Sequence, residues 1–208
     1  MKVRAVNLIV LSMAIVAVPA VTPVRADPIS AHEREVKAAF LYNFMKFVEW
    51  PAEKMGDANE PVVVGLIGSK EFIKAIEPIV HKKINNKNIT LKYFADYEKP
   101  EKAQEADRGQ WNQKIEALKS CHLLMFCSCD SVRVEATGEI IKALRDSPVL
   151  TVGEADGFLE SGGMINLLME DKKIRFEINT AAAKKSALKI SSKLLRLAKR
   201  VVVEESPQ

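Results

Sequence analysis

Apolar residues recur along this chain at two different periods, and the alternation between them predicts an architecture. Behind Ser30-Ala31-His32-Glu33, which has the spacing of a capping box, Val36, Phe40, Phe44 and Phe47 return at i, i+4, i+8 and i+11. That period predicts a long amphipathic helix ending at Trp50-Pro51. Leu41, Met45 and Val48 widen its apolar surface past a single stripe, so the helix is either wedged between two layers or keeps one face for a partner. Residues 62–68 then form an uninterrupted apolar run, the pattern of a strand covered on both faces. Ser69 precedes a helical period at Phe72, Ile73 and Ile76, and residues 89–94 alternate as a second strand. A short helix is predicted at 111–118, a buried strand at 121–127, a helix from Ser131 through Val134, Ile140, Ile141 and Leu144, and a fourth strand at 149–152 after Pro148.

Strand, helix, strand, helix, strand at these spacings implies right-handed parallel crossovers. The pattern then changes. Residues 164–169 and 173–178 are joined by Glu170-Asp171-Lys172, and Ile174, Phe176 and Ile178 alternate with Arg175 and Glu177. This predicts an antiparallel hairpin with one polar face, at a sheet edge. Asn179 or Thr180 caps a closing helix with Ala187, Ile190, Leu194 and Leu197 turned inward and Lys185, Lys189, Lys193, Arg196 and Arg200 along the opposite side. The expected fold class is α/β: a Rossmann-like three-layer sandwich, mainly parallel, with an antiparallel C-terminal hairpin and long N- and C-terminal helices. Residues 97–110 are charged, lack an apolar period, and read as a solvated excursion.

The first residues change the setting. Lys2 and Arg4 precede an apolar run over residues 6–18, and Val24-Arg25-Ala26 is a small-x-small site ahead of Asp27-Pro28. Residues 1–26 are read as a secretory signal peptide and 27–208 as one domain in an extracytoplasmic compartment, a periplasm. The run is shorter than the ~20 residues that span a bilayer, so the mature chain is not expected to span a membrane. Cleavage removes three basic residues and no acidic ones, which lowers the formal charge from +4 to +1. Global basicity therefore gives no argument for nucleic acid.

Candidate chemistry is sparse. Residues 65–70, Gly-Leu-Ile-Gly-Ser-Lys, match neither phosphate-binding glycine pattern. His32, His81 and His122 stand in no catalytic motif, and no serine has a nucleophile-elbow context. No catalytic residue, cofactor or metal site is assigned; Glu154, Asp156 and Glu160 cluster between glycines but lack the order of a calcium loop. Cys121, Cys127 and Cys129 are odd in number and lie in one segment; buried thiols, a Cys127–Cys129 bridge and an intermolecular bridge are the alternatives. The loop from Gly153 to Gly163 follows a parallel strand, where α/β sheets bind. It sets Phe158 and Leu159 among polar neighbours. Phe158 either plugs the core or joins Leu159, Gly162, Gly163 and Met164 in a contact surface for a partner or ligand.

Several blocks carry a resemblance: residues 36–44 (VKAAFLYNF) with 46–51 (KFVEWP), 148–152 (PVLTV), Gly157-Phe158, 162–166 (GGMIN), 174–179 (IRFEIN) and 188–198 (LKISSKLLRLA). Together they resemble the YfiR family of periplasmic proteins over nearly the whole mature chain. The resemblance implies a single Rossmann-like domain without catalytic residues, often a homodimer. It also implies a regulator that binds and represses the periplasmic sensor region of an inner-membrane signalling enzyme, a diguanylate cyclase controlling cyclic-di-GMP and biofilm formation. The competing expectation is a small-ligand sensor with its pocket at the 153–163 loop.

Overall fold

A computed structural model describes residues 28–94, 105–127 and 134–203. The signal-peptide segment, Cys129 and Ser131 lie outside the described residues. In chain order the elements are α1 (Pro28–Phe47), β1 (Val48–Glu49), α2 (Ala52–Met55), β2 (Val62–Ile67), α3 (Glu71–Val80), β3 (Lys83–Ile84), β4 (Lys87–Phe94), α4 (Glu105–Lys119), β5 (Leu123–Phe126), α5 (Val134–Leu144), β6 (Leu150–Gly153), β7 (Ile165–Glu170), β8 (Lys173–Asn179), α6 (Thr180–Lys185), β9 (Lys189–Ile190), α7 (Ser192–Leu195) and β10 (Arg200–Val202). Eight strands form one sheet in the order β3-β4-β2-β5-β6-β7-β8-β10. The run from β4 to β7 is parallel, β7 and β8 make the antiparallel hairpin, and β10 returns parallel to β8.

The core lies in two layers, one on each face of the sheet. On one side α1 and α3 bury Leu41, Phe44 and Ile76 against Val64, Leu123 and Met125. On the other, α4 and α5 bury Leu118, Ile140 and Leu144 against Ile67, Leu124 and Phe126. Every residue of β5 and β6 is buried, which is why neither strand alternates apolar with exposed polar positions; Thr151 is buried with the rest. No helix among the described residues is long and apolar enough to cross a membrane.

The apolar surface of α1 is spent inside the molecule. Phe40 and Phe44 pack on the Phe176 ring at 5.7 and 5.2 Å between centroids, and Ala38, Leu41 and Met45 are buried. Among the described residues the helix is already formed at Pro28. The capping-box spacing at Ser30 therefore falls inside the helix and does not mark its start.

The closing helix is the main correction. It stops after Lys185, and its end has a physical cause in Ala187, which takes a left-handed φ of 56°. The Leu188 N–H donates to the Ala183 carbonyl at 2.9 Å and the Ala187 N–H to the Lys184 carbonyl at 3.0 Å. Those two bonds make a Schellman end, with Leu188 and Ala183 both buried as its apolar contact. Ala187 and Leu197, expected inside, are exposed, while Leu188 and Leu194 are buried. After the break, β9 pairs antiparallel with β1, and Ser191 caps α7 by accepting from the Lys193 N–H. β10 then covers β8, so the hairpin is not the sheet edge.

Candidate functional site

β6 ends at Gly153, paired with Asn166 of β7, and the 153–163 loop bridges the two at the carboxyl edge of the parallel strands. The centre of the loop is the Phe158 ring, turned inward against Phe126 at 5.6 Å between centroids. Gly153 and Gly163 flank it. A Cβ on Gly153 would lie 2.4 Å from the ring, and one on Gly163 would lie 2.2 Å from it. Glycine is required at both places by close approach. The Gly163 N–H donates to the Phe158 carbonyl at 2.9 Å and the Gly162 N–H to the Leu159 carbonyl at 3.0 Å. Asn179 Nδ2 donates to the same Leu159 carbonyl at 3.2 Å, and the Met164 N–H donates to buried Thr151 Oγ1 at 3.1 Å.

Of the residues expected to form a contact surface, Phe158, Leu159, Gly163 and Met164 are buried and Gly162 is half-buried. An apolar contact through Phe158 would require the loop to open. Gly162 and Met164 do face a cavity of about 180 Å³, whose walls include Arg145, Thr151, Lys185 and Ser186. The outward surface of the loop includes Asp156, Gly157, Glu160 and Ser161. Its carboxylates diverge: Glu154 turns back to Lys37 on α1, and Glu160 reaches Arg200 at 3.2 Å, which also holds Glu177 at 2.7 Å.

Sequence reading missed Lys37 and Glu33, because α1 lies more than a hundred residues from the loop it meets. Lys37 contacts Glu33 at 2.6 Å and also Glu154. Burial by itself would push the Lys37 ammonium down, yet the hydrogen bonds to Glu154 and Glu33 outweigh it and hold the pKa above the ordinary lysine value. The spacing of Glu33 and Lys37, one turn apart, was the available signal. These residues, with Asp156, Asn166 and the end of β7, wall a second cavity of about 440 Å³.

The groups richest in potential chemistry serve the fold. His122 Nδ1 accepts the Val63 N–H at 3.0 Å, and Nε2 lies 3.1 Å from the Lys54 carbonyl. That pairing fixes a neutral imidazole with its proton on Nε2. Burial, together with the Lys54 and Lys87 cations, pushes the pKa down to about 4. Cys121 and Cys127 are buried and are not bonded to each other; they belong to opposite core layers. Burial pushes the Cys121 thiol up to about 11, away from the thiolate a nucleophile needs.

Comparison with known proteins adds the following. A family model described as YfiR/HmsC-like matches residues 34–199. No curated protein matches the chain. Among solved structures, a conserved domain protein from Vibrio cholerae O1 biovar El Tor str. N16961 is similar at 12% identity with a TM-score of 0.54, over 81% of this chain and 60% of that one. The chain thus spans about three fifths of that protein, and at such identity the likeness shows the α/β fold alone. An ABC domain in complex with L-Trp from Streptococcus pneumonia gives 12% identity and a TM-score of 0.48 over 67% of this chain and 55% of that one.

Proposed function

The chain belongs to the YfiR/HmsC-like family, and from that membership we propose that it is a non-enzymatic periplasmic regulator, processed after Ala26. It binds and represses the periplasmic sensor region of an inner-membrane diguanylate cyclase, and so restrains cyclic-di-GMP synthesis and biofilm formation. The observation that carries this reading is the family match across residues 34–199. The engaged His122 ring and the buried, high-pKa Cys121 thiol support it, since each is tied to packing. Such a regulator works by preferring one state of its partner. Moving that partner from almost wholly active to almost wholly inactive takes about 5.5 kcal/mol of differential binding.

The 153–163 loop, with its Phe158, Leu159, Gly162, Gly163 and Met164 framework, forms the contact in this proposal. The test is reconstitution. Membranes containing the cyclase are mixed with the purified protein, and both capture of the cyclase and cyclic-di-GMP output are measured. Capture with lowered output is expected; no capture, or capture without loss of output, refutes repression. A second reading, a small-ligand sensor, is favoured by the cavity of about 180 Å³ that Gly162 and Met164 line with Arg145 and Lys185. It predicts an anionic ligand that raises the melting temperature and loses its effect in Arg145→Ala.

A further inference from the structure

The hydrogen-bond phase of the β7–β8 hairpin is set by the Asn179 N–H, which donates to the Met164 carbonyl at 2.8 Å. Bonded and unbonded pairs alternate along an antiparallel ladder. With Asn166, Leu168 and Glu170 opposite Glu177, Arg175 and Lys173, the even-numbered residues of β7 spend their backbone groups on β8. Ile165, Leu167 and Met169 turn theirs the other way, toward β6. β6 is too short to meet them all, because its pairing stops at Gly153 and Asn166. Among the described residues nothing pairs with the Leu167 carbonyl or with either backbone group of Met169, which therefore lie on an open strand edge.

This edge runs along the cavity of about 440 Å³ that Glu33, Lys37, Glu154 and Asp156 also line. Met169 is 50% exposed there, and the buried Oδ1 of Asn166, in the same wall, accepts no hydrogen bond from the described residues. Three carboxylates stand against one ammonium, and that ammonium is already engaged by Glu33 and Glu154. An incoming chain meets unpaired backbone on one side and excess negative charge on the other.

We infer that this notch is a strand-docking site: an extended segment of another polypeptide lies along β7 in the line β6 vacates and sets a lysine or arginine against Glu33, Glu154 and Asp156. Open edges recruit strands through main-chain bonds, and the flanking side chains select the guest. The overhang of β7 beyond Asn166 is four residues, Leu167 to Glu170, about 13 Å of strand, so the guest contributes about that length. The inference rests on the proposed regulatory function only for the identity of the natural guest.

The test titrates the blocked peptide acetyl-Thr-Val-Arg-Val-Thr-amide into the ¹⁵N-labelled protein and follows amide shifts. Shifts at residues 167–170 are expected, with at least tenfold weaker binding when the arginine is replaced by glutamate or when alternate peptide nitrogens are methylated. Met169→Pro removes an edge donor outside the β8 ladder, where proline is tolerated, and is expected to weaken binding at least tenfold. Should that variant not fold, the methylated peptide reads the same bond from the guest's side. Asp156→Lys, at an exposed position, is expected to lower the preference for arginine over glutamate. No shift at millimolar peptide, equal binding of the methylated peptide, or full displacement by free arginine overturns the inference. Capture of the cyclase by Met169→Pro at the wild-type level rejects this edge as the partner's site and leaves the regulatory reading standing. A wild-type protein that binds the peptide but captures no cyclase overturns that reading alone.

Discussion

As the pH falls from 7 toward 4, an unfolded chain takes up a proton at His122 near pH 6.5, whereas the folded chain resists until about pH 4. The ring is 5% exposed, and its protonation would place a hydrogen on Nδ1 facing the Val63 N–H that now donates to it. The unfolded state therefore binds more protons throughout this window, and stability falls as the pH falls. At 1.36 kcal/mol per unit of pKa difference, His122 removes about 2 kcal/mol by pH 5 and about 3 kcal/mol by pH 4, below which its contribution levels off. Urea unfolding at pH 7.5, 6 and 5 reads the loss, and His122→Gln deletes this one titration while leaving the others in place. The wild-type midpoint is expected to fall more steeply with pH than that of the variant. Parallel loss in the two proteins, or an NMR titration of His122 centred at pH 6 or above, would refute the argument.

Other predictions concern packing and the chain break. Gly163→Ala drives a methyl into the Phe158 ring and within 2.7 Å of the Phe158 carbonyl, so a loss of about 1–3 kcal/mol is expected from chemical denaturation. Phe158→Ala, which empties a buried site beside Phe126, is expected to cost about 3–5 kcal/mol. Ala187→Gly relieves the left-handed backbone at that position and is expected to raise stability by about 0.5–1 kcal/mol in the same assay. Cys121, with its raised pKa and complete burial, is expected to react with a thiol reagent at neutral pH only as fast as the protein opens; mass-mapped labelling faster than amide exchange in β5 would contradict this.

The central strands were legible because they are buried on both faces: residues 62–67 and 123–126 announce themselves as apolar runs, and residues 150–153 as a short run interrupted only by Thr151. The hairpin was legible from its alternation, and its two-residue turn at Asp171 and Lys172 takes the left-handed φ values, 48° and 59°, that such turns need. The closing segment was not legible, since Ala187, Ile190, Leu194 and Leu197 fit a helical period. What decides there is a left-handed alanine and a partner strand far away in sequence, and neither leaves a local mark. Phe158 could be read either as a plug or as a contact, and only the two glycine backbones closing on its ring decide. Lys37 and Glu154 meet across the fold, a proximity no window of sequence contains.

The small ladder between β1 and β9 ties the exit of the first helix to the segment following the break, with Val48 opposite Ile190 and Glu49 opposite Lys189. The Ser191 N–H adds a bond to the Phe47 carbonyl at 2.8 Å. Deleting the first helix together with β1 would thus strip its roof from the sheet and also cut loose β9, which pairs with no other strand among the described residues. Trimming this molecule from its front should therefore loosen it at the back, and a minimal fragment must keep both extremities together.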